Sequence, residues 1–220
     1  MFSRYVFYTG FEGLEHNFNL KQKDVSEVNP NYNIGYGDSG YIIYAGQYRE
    51  HTLAEAKWDA SPFSELSAQR TILVTDLEKK PELTKCFQRK RCIILLNGYF
   101  EWKHLNENLN IPFYLRLLSR DLFGVAGLYD RFVNEKGETV TGFIPFETAS
   151  NEVVQPLSET MPAILAKRDY ASWLDPLTSD TESLTEMIRP LEMLDMASYR
   201  VTGMINDKNA TGKELIQPVV

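Results

Sequence analysis

The sequence has little with which to staple or anchor itself. Two cysteines, Cys86 and Cys92, are too few for a disulfide scaffold in a chain of 220 residues. Both lie in a charged, helical-looking stretch, which suits reduced intracellular thiols. No apolar run nears the roughly 18 residues of a membrane span. The opening MFSRYVFYTG lacks the basic-then-apolar order of a secretory signal. A cytoplasmic protein with no membrane partner is therefore expected. Positive charge is in deficit: 23 Lys and Arg against 30 Asp and Glu leave a net charge of −7. That weighs against a broadly basic nucleic-acid binder and leaves room for a local basic groove. There is no repeat, no low-complexity tract, no glycine-rich phosphate loop and no metal-spaced His/Cys set. No cofactor is expected.

What is present suits a folded chain: 43% apolar and 24% charged residues. Its 12 Phe, 12 Tyr and 3 Trp serve either as core and strand packing or as stacking platforms for bases. Residues 29–40, NPNYNIGYGDSG, read as an irregular loop. Strand patterns cover Arg4 to Tyr8, Tyr41 to Tyr48, Cys92 to Leu96, Pro112 to Leu118, Phe123 to Tyr129 and Thr139 to Pro145. Helical spacing covers Leu77 to Arg89, with Pro81 near the start, then Asn151 to Val154, Lys167 to Leu174 and Thr181 to Ile188. The tail, Tyr199 to Met204 and Leu215 to Val220, is strand-like. Strands and helices do not alternate, so an α+β fold around a largely antiparallel sheet is expected.

Chemistry concentrates in Cys92 to Lys103, CIILLNGYFEWK. An apolar run enters the turn dipeptide Asn97-Gly98 and then Tyr99, Phe100, Glu101 and Trp102. A partly buried carboxyl among aromatics can stay protonated near neutrality and move protons. Strand alternation alone favours the plainer reading, in which Glu101 points to solvent between inward-facing rings.

This segment resembles the Arg-Cys, apolar, Gly-aromatic-aromatic-Glu-Trp stretch of the SOS-response-associated peptidase family. Further matches follow in the family's order. Ser3-Arg4-Tyr5 is similar to the segment after its N-terminal cysteine, and Tyr32-Asn33-Ile34 to its Tyr-Asn-Ile loop. Trp58 and Pro62 match its first Trp and its Pro, and Lys80-Pro81 its Lys-Pro helix start. Phe123 to Tyr129 and Met161 to Leu165, with Trp173-Leu174 beyond, resemble later motifs. Val201 to Val219, with Asn206, is similar to its last strand. The resemblance implies one domain over residues 1–220. It also implies a mixed, largely antiparallel β pseudo-barrel with flanking helices, and a groove for single-stranded DNA in a sensor of abasic sites.

The family exposes an N-terminal cysteine by removing Met1. Its amine condenses with the aldehyde of an opened abasic sugar, and its thiol closes a five-membered ring. Position 2 of this chain is Phe2. The family's Asn falls on Thr71, its phosphate-binding Arg on Leu73, its His on Ser158 and a second Arg on Thr160. Asp59 replaces the glycine after Trp58. Glu101 alone is kept from the catalytic set, and Arg4 from the phosphate set. The chain thus resembles a degenerate member whose cross-linking and self-processing chemistry is lost.

Lys79, Lys80, Lys85, Arg89, Lys90 and Arg91 form the one dense basic cluster. They either flank a nucleic-acid strand or form a solvated helix face with Glu78 and Glu82 as partners. Candidate nucleic-acid contacts are therefore Arg4, Trp58, Lys79, Lys80, Arg89 and Arg91, with single-stranded or abasic DNA as a weakly bound partner. Two alternatives stand beside binding: a Schiff-base or lyase activity of the Met1 amine with Glu101 as proton shuttle, and a catalytically silent protein-interaction module on the same fold.

Overall fold

The computed structural model describes residues 2–60, 63, 69–77, 79–106, 109–134, 136–192 and 195–219, with the side chains of all these except Pro81 and Glu82. The expectations placed on Met1, Pro62, Glu78 and the Glu82 side chain lie outside the described residues.

Thirteen strands occur among the described residues: β1 (Arg4–Phe7), β2 (Gln22–Lys23), β3 (Asn31–Gly35), β4 (Ser39–Ala45), β5 (His51–Trp58), β6 (Ile72–Leu73), β7 (Arg91–Leu96), β8 (Gly98–Asn106), β9 (Leu109–Leu117), β10 (Phe123–Val133), β11 (Thr139–Ala149), β12 (Thr160–Pro162) and β13 (Met196–Arg200). The helices are α1 (Phe11–Phe18), α2 (Pro81–Arg89), α3 (Tyr170–Leu174) and α4 (Thr181–Met187), joined by short 3-10 turns.

One sheet has the order β13-β9-β8-β1-β3, with every neighbour antiparallel. The other runs β12-β11-β10-β7-β4-β5-β2. It closes on itself, because β11 also pairs with β5 in parallel through Gly142↔Lys57 and Phe143↔Trp58. Strands β5, β4, β7, β10 and β11 therefore form a ring, and closure removes the open edges that β5 and β11 would otherwise present. The expected α+β class and barrel-like architecture hold. β7 is buried at every position because the ring covers it on one side and α2 and α3 on the other. That two-sided burial is why its sequence reads RCIILL without alternation.

The chain leaves the ring at Asn97 and enters the other sheet at Gly98, so this dipeptide is a step between sheets and not a hairpin turn. Asn97 is buried and fully used. Its side chain accepts from the Tyr8 N–H at 2.7 Å and donates to Thr9 Oγ1 and the Asp121 carbonyl, each at 2.8 Å. At Gly98 a Cβ would lie 2.2 Å from the Tyr114 hydroxyl, which explains the glycine.

Several expectations are corrected. Within residues 29–40, β3 and the start of β4 flank a turn with Gly37 at φ 94°. β3 is an edge strand, where polar Asn residues are tolerated, and its composition concealed it. Residues 151–154 form no helix. The Asn151 side chain captures the N–H groups of Val153 and Val154 in a turn. The tail is strand only to Arg200. Beyond it, 3-10 turns at Gly203–Asn206 and Lys213–Ile216 place Ile205 and Leu215 against Val6, Phe100 and Tyr114. Helix α1 and strand β5 had no counterpart in the sequence reading.

Candidate functional site

Glu101 lies on β8 between β1 and β9, opposite Phe113. It is 3% exposed, so the solvent-facing reading fails. Alternation did not apply because Gly98 through Glu101 are all buried. Burial pushes the Glu101 carboxyl up to about 7, and the nearby Glu147 carboxylate adds to the rise. A raised carboxyl pKa means that the folded state holds a proton which the unfolded chain has released. Its contribution is therefore fully present below pH ~4.5 and is lost as pH rises through 7. Urea melts should show this group costing stability on the order of 3 kcal/mol between pH 5 and pH 8.5. Glu101→Gln should flatten that dependence, and an unchanged slope in the variant would contradict it.

Beside Glu101, residue 2 is part of the packed core. Phe2 is fully buried. Its ring stacks on Trp58 with centroids 5.1 Å apart, meets Tyr99 edge-on at 5.8 Å and lies 6.0 Å from Tyr5. The Phe2 N–H donates to Glu147 Oε1 at 2.7 Å. The same carboxylate accepts from Thr71 Oγ1 at 2.6 Å and Thr160 Oγ1 at 3.0 Å. Thr71 and Thr160 thus converge on a buried carboxylate that sequence reasoning missed. The available signal was a lone Glu inside the apolar run FIPFETA. Ser158 is half-buried, and its hydroxyl accepts the Thr160 N–H at 3.4 Å.

Above Glu101 opens a cleft of about 680 Å³. Arg4, Arg70 and Lys208 bring positive charge to it, and Tyr36 and Trp102 bring aromatic faces. His104 and Asp38 also line it. These groups are held in place. The Arg4 guanidinium donates to Asn33 Oδ1, and the Asn33 amide is fixed by the Asp207 and Ala210 carbonyls. Arg70 lies over the Tyr36 ring at 5.5 Å. Trp102 Nε1 donates to Asn206 Oδ1 at 3.0 Å. A smaller cleft of about 320 Å³, lined by Gln69, Thr71, Leu73, Glu147 and Thr160, shares Arg70 with the first. Arg70, Tyr36, Trp102 and Lys208 were not singled out from the sequence. They come from separate loops and strands that the fold alone brings together.

Of the sequence-derived candidates, Arg4 and Glu101 meet in the cleft and the others do not. Trp58 is fully buried, with its indole N–H on the Arg70 carbonyl at 2.7 Å, so it offers no face to a base. Arg91 is 4% exposed. Its guanidinium donates to the carbonyls of Trp173, Phe87, Asp175 and Thr178 at 2.6 to 2.9 Å, so it cannot meet phosphate. Lys79 and Lys80 lie within 4.0 Å of the Asp76 carboxylate, and Lys80 also reaches Gln69 Oε1. Lys90 pairs with Asp130 at 2.7 Å. Arg89 is exposed on α2 and does not line the cleft. The basic run is thus divided between core, ion pairs and solvent. Among the described residues no helix is long and apolar enough to cross a membrane, and no group of three His, Cys, Asp or Glu could hold a metal ion.

The chain is 26% identical to the abasic site processing protein YoqW of Bacillus subtilis, over 99% of each chain. It is 30% identical to the abasic site processing protein YMR114C of Saccharomyces cerevisiae, over 80% of this chain and 51% of that one. A crystal structure of a protein from Bacteroides thetaiotaomicron superposes with a TM-score of 0.84 at 21% identity, covering 99% of both chains. A family model matches residues 1–208, and the chain belongs to the SOS response associated peptidase (SRAP) family.

Proposed function

We propose that this protein binds single-stranded DNA, including strands with abasic sites, non-covalently in the Glu101 cleft, and that it has lost the covalent step. The observation that carries the reading is Phe2. At the family's nucleophile position stands a buried hydrocarbon ring with its N–H engaged by Glu147, and it has no atom able to attack a sugar. Beside it the cleft keeps what non-covalent binding needs: cations for phosphate in Arg4, Arg70 and Lys208, and stacking faces in Tyr36 and Trp102. Relatives named as abasic site processing proteins supply the substrate class.

Fluorescence anisotropy at low salt tests this. Labelled single strands, intact and abasic, should bind with an affinity that falls with salt. Arg70→Glu should weaken both by about tenfold or more, the effect expected from reversing a phosphate contact. Absence of binding at low salt would sink the reading and favour a protein-interaction module.

A second reading is favoured by the buried carboxyl of Glu101, which titrates where a proton shuttle works best. In it, a chain-terminal amine forms a Schiff base with the abasic aldehyde. Borohydride would trap such an adduct, and Glu101→Gln would reduce its yield. No trapped band in either protein removes this reading.

A further inference from the structure

We infer that a nucleic-acid strand entering this cleft takes up a proton at Glu101, so that the carboxyl engages it as a neutral hydrogen-bond donor. The inference rests on the DNA-binding reading above and adds the form in which the site binds. Glu101 sits at the floor of a cleft whose charged walls are Arg4 from β1, His104 from β8, Asp38 from the β3–β4 turn, Arg70 ahead of β6 and Lys208 near the C-terminal turns. From the inner side it faces the Glu147 carboxylate of β11 and the Tyr99 hydroxyl.

A phosphate drawn in by the three cations brings further negative charge over this floor. An ionised Glu101 opposes that charge in a site with little water to screen it. A neutral Glu101 does not, and its O–H can donate to a phosphate or sugar oxygen. The Glu101 carboxyl is already raised by burial to about 7, so little is needed to protonate it. Binding and protonation then strengthen each other reciprocally.

Anisotropy titrations at fixed ionic strength between pH 5.5 and pH 8.5 test this with wild type, Glu101→Gln and His104→Gln. Wild-type affinity should fall by up to about tenfold for each pH unit above 7, the slope of one linked proton. Glu101→Gln, whose amide donates as the neutral acid does, should match wild type at pH 5.5 and bind at least tenfold tighter at pH 8.5. His104→Gln should keep the wild-type pH dependence, since it leaves the Glu101 carboxyl in place. Parallel pH profiles for wild type and Glu101→Gln would overturn the inference. Calorimetry on wild type alone, in two buffers of different ionisation heat at pH 7.5, gives the proton count without any variant. Uptake near one proton supports the inference and none overturns it. Failure of wild type to bind at any pH identifies the DNA-binding reading as the fault, whereas binding without proton uptake identifies this one.

Discussion

Once Met1 is cleaved, a Phe2→Cys variant incubated with single-stranded DNA carrying an abasic site will yield an adduct that survives heating, and the unaltered protein will yield none. A terminal cysteine carries an amine and a thiol on adjacent carbons. The amine condenses with the sugar aldehyde and expels water, and the thiol then adds across the resulting C=N bond to close a ring. No oxidant or second substrate is involved. The position suits the reaction. The nitrogen of residue 2 lies 2.7 Å from Glu147 Oε1, which would pair with a free ammonium there, and Glu101 next to it can give or take the proton. Removing the Phe2 ring from contact with Trp58 and Tyr99 leaves a cavity costing about 3 kcal/mol, so the reaction should be run well below the melting temperature. Phe2→Ser, which lacks the sulfur, is the control. Denaturing gels and mass spectrometry read the result. An adduct on the wild-type protein, or none on a variant shown to begin with cysteine, would reject the idea that Phe2 alone withholds this chemistry.

The second large effect concerns stability. Arg91→Met should lower unfolding free energy by roughly 3–5 kcal/mol, because it strands buried carbonyls that a charged donor now satisfies. The Arg91 guanidinium gathers the carbonyls of Phe87 at the end of α2, Trp173 in α3, and Asp175 and Thr178 beyond it, while lying 5.6 Å from the centre of the Trp173 ring. It therefore clamps two helices and a loop onto β7. Arg91→Lys should recover little, since an ammonium has three N–H donors at a single nitrogen and the guanidinium serves four separate acceptors. Thermal melts should drop by roughly 10 °C in both variants. DNA affinity, measured below the new melting temperature, should not change. A loss of binding with unaltered stability would return Arg91 to the nucleic-acid surface.

Arg91 also marks where sequence reasoning stops. In the sequence it is one of six clustered cations, and nothing local distinguishes it from Arg89. What separates them is that Arg91 begins a strand covered on both sides, whereas Arg89 ends a helix turned to solvent. The fold class and most strands were legible because apolar runs and turn residues report burial directly. Glu101 was legible as a residue of interest but not as a buried one, since alternation assumes a strand with one wet face and β8 begins with none. Glu147 and Arg70 were invisible for a different reason. Their roles depend on partners distant along the chain: Thr71 and Phe2, 76 and 145 residues from Glu147, for one, and the Tyr36 ring for the other. That position 2 carries no sulfur, by contrast, was plain, because an absent atom type needs no coordinates.

The parallel seam between β5 and β11 has a consequence for how the molecule assembles. It joins Lys57 to Gly142 and Trp58 to Phe143, partners 85 residues apart along the chain (142 − 57 and 143 − 58). Contacts so distant along the chain carry a high entropic toll during folding, so zipping this seam is a late and slow event. The Trp58 indole sits on the seam and against Phe2, so its fluorescence will follow that last event during refolding, after the backbone signal of the sheets has already returned.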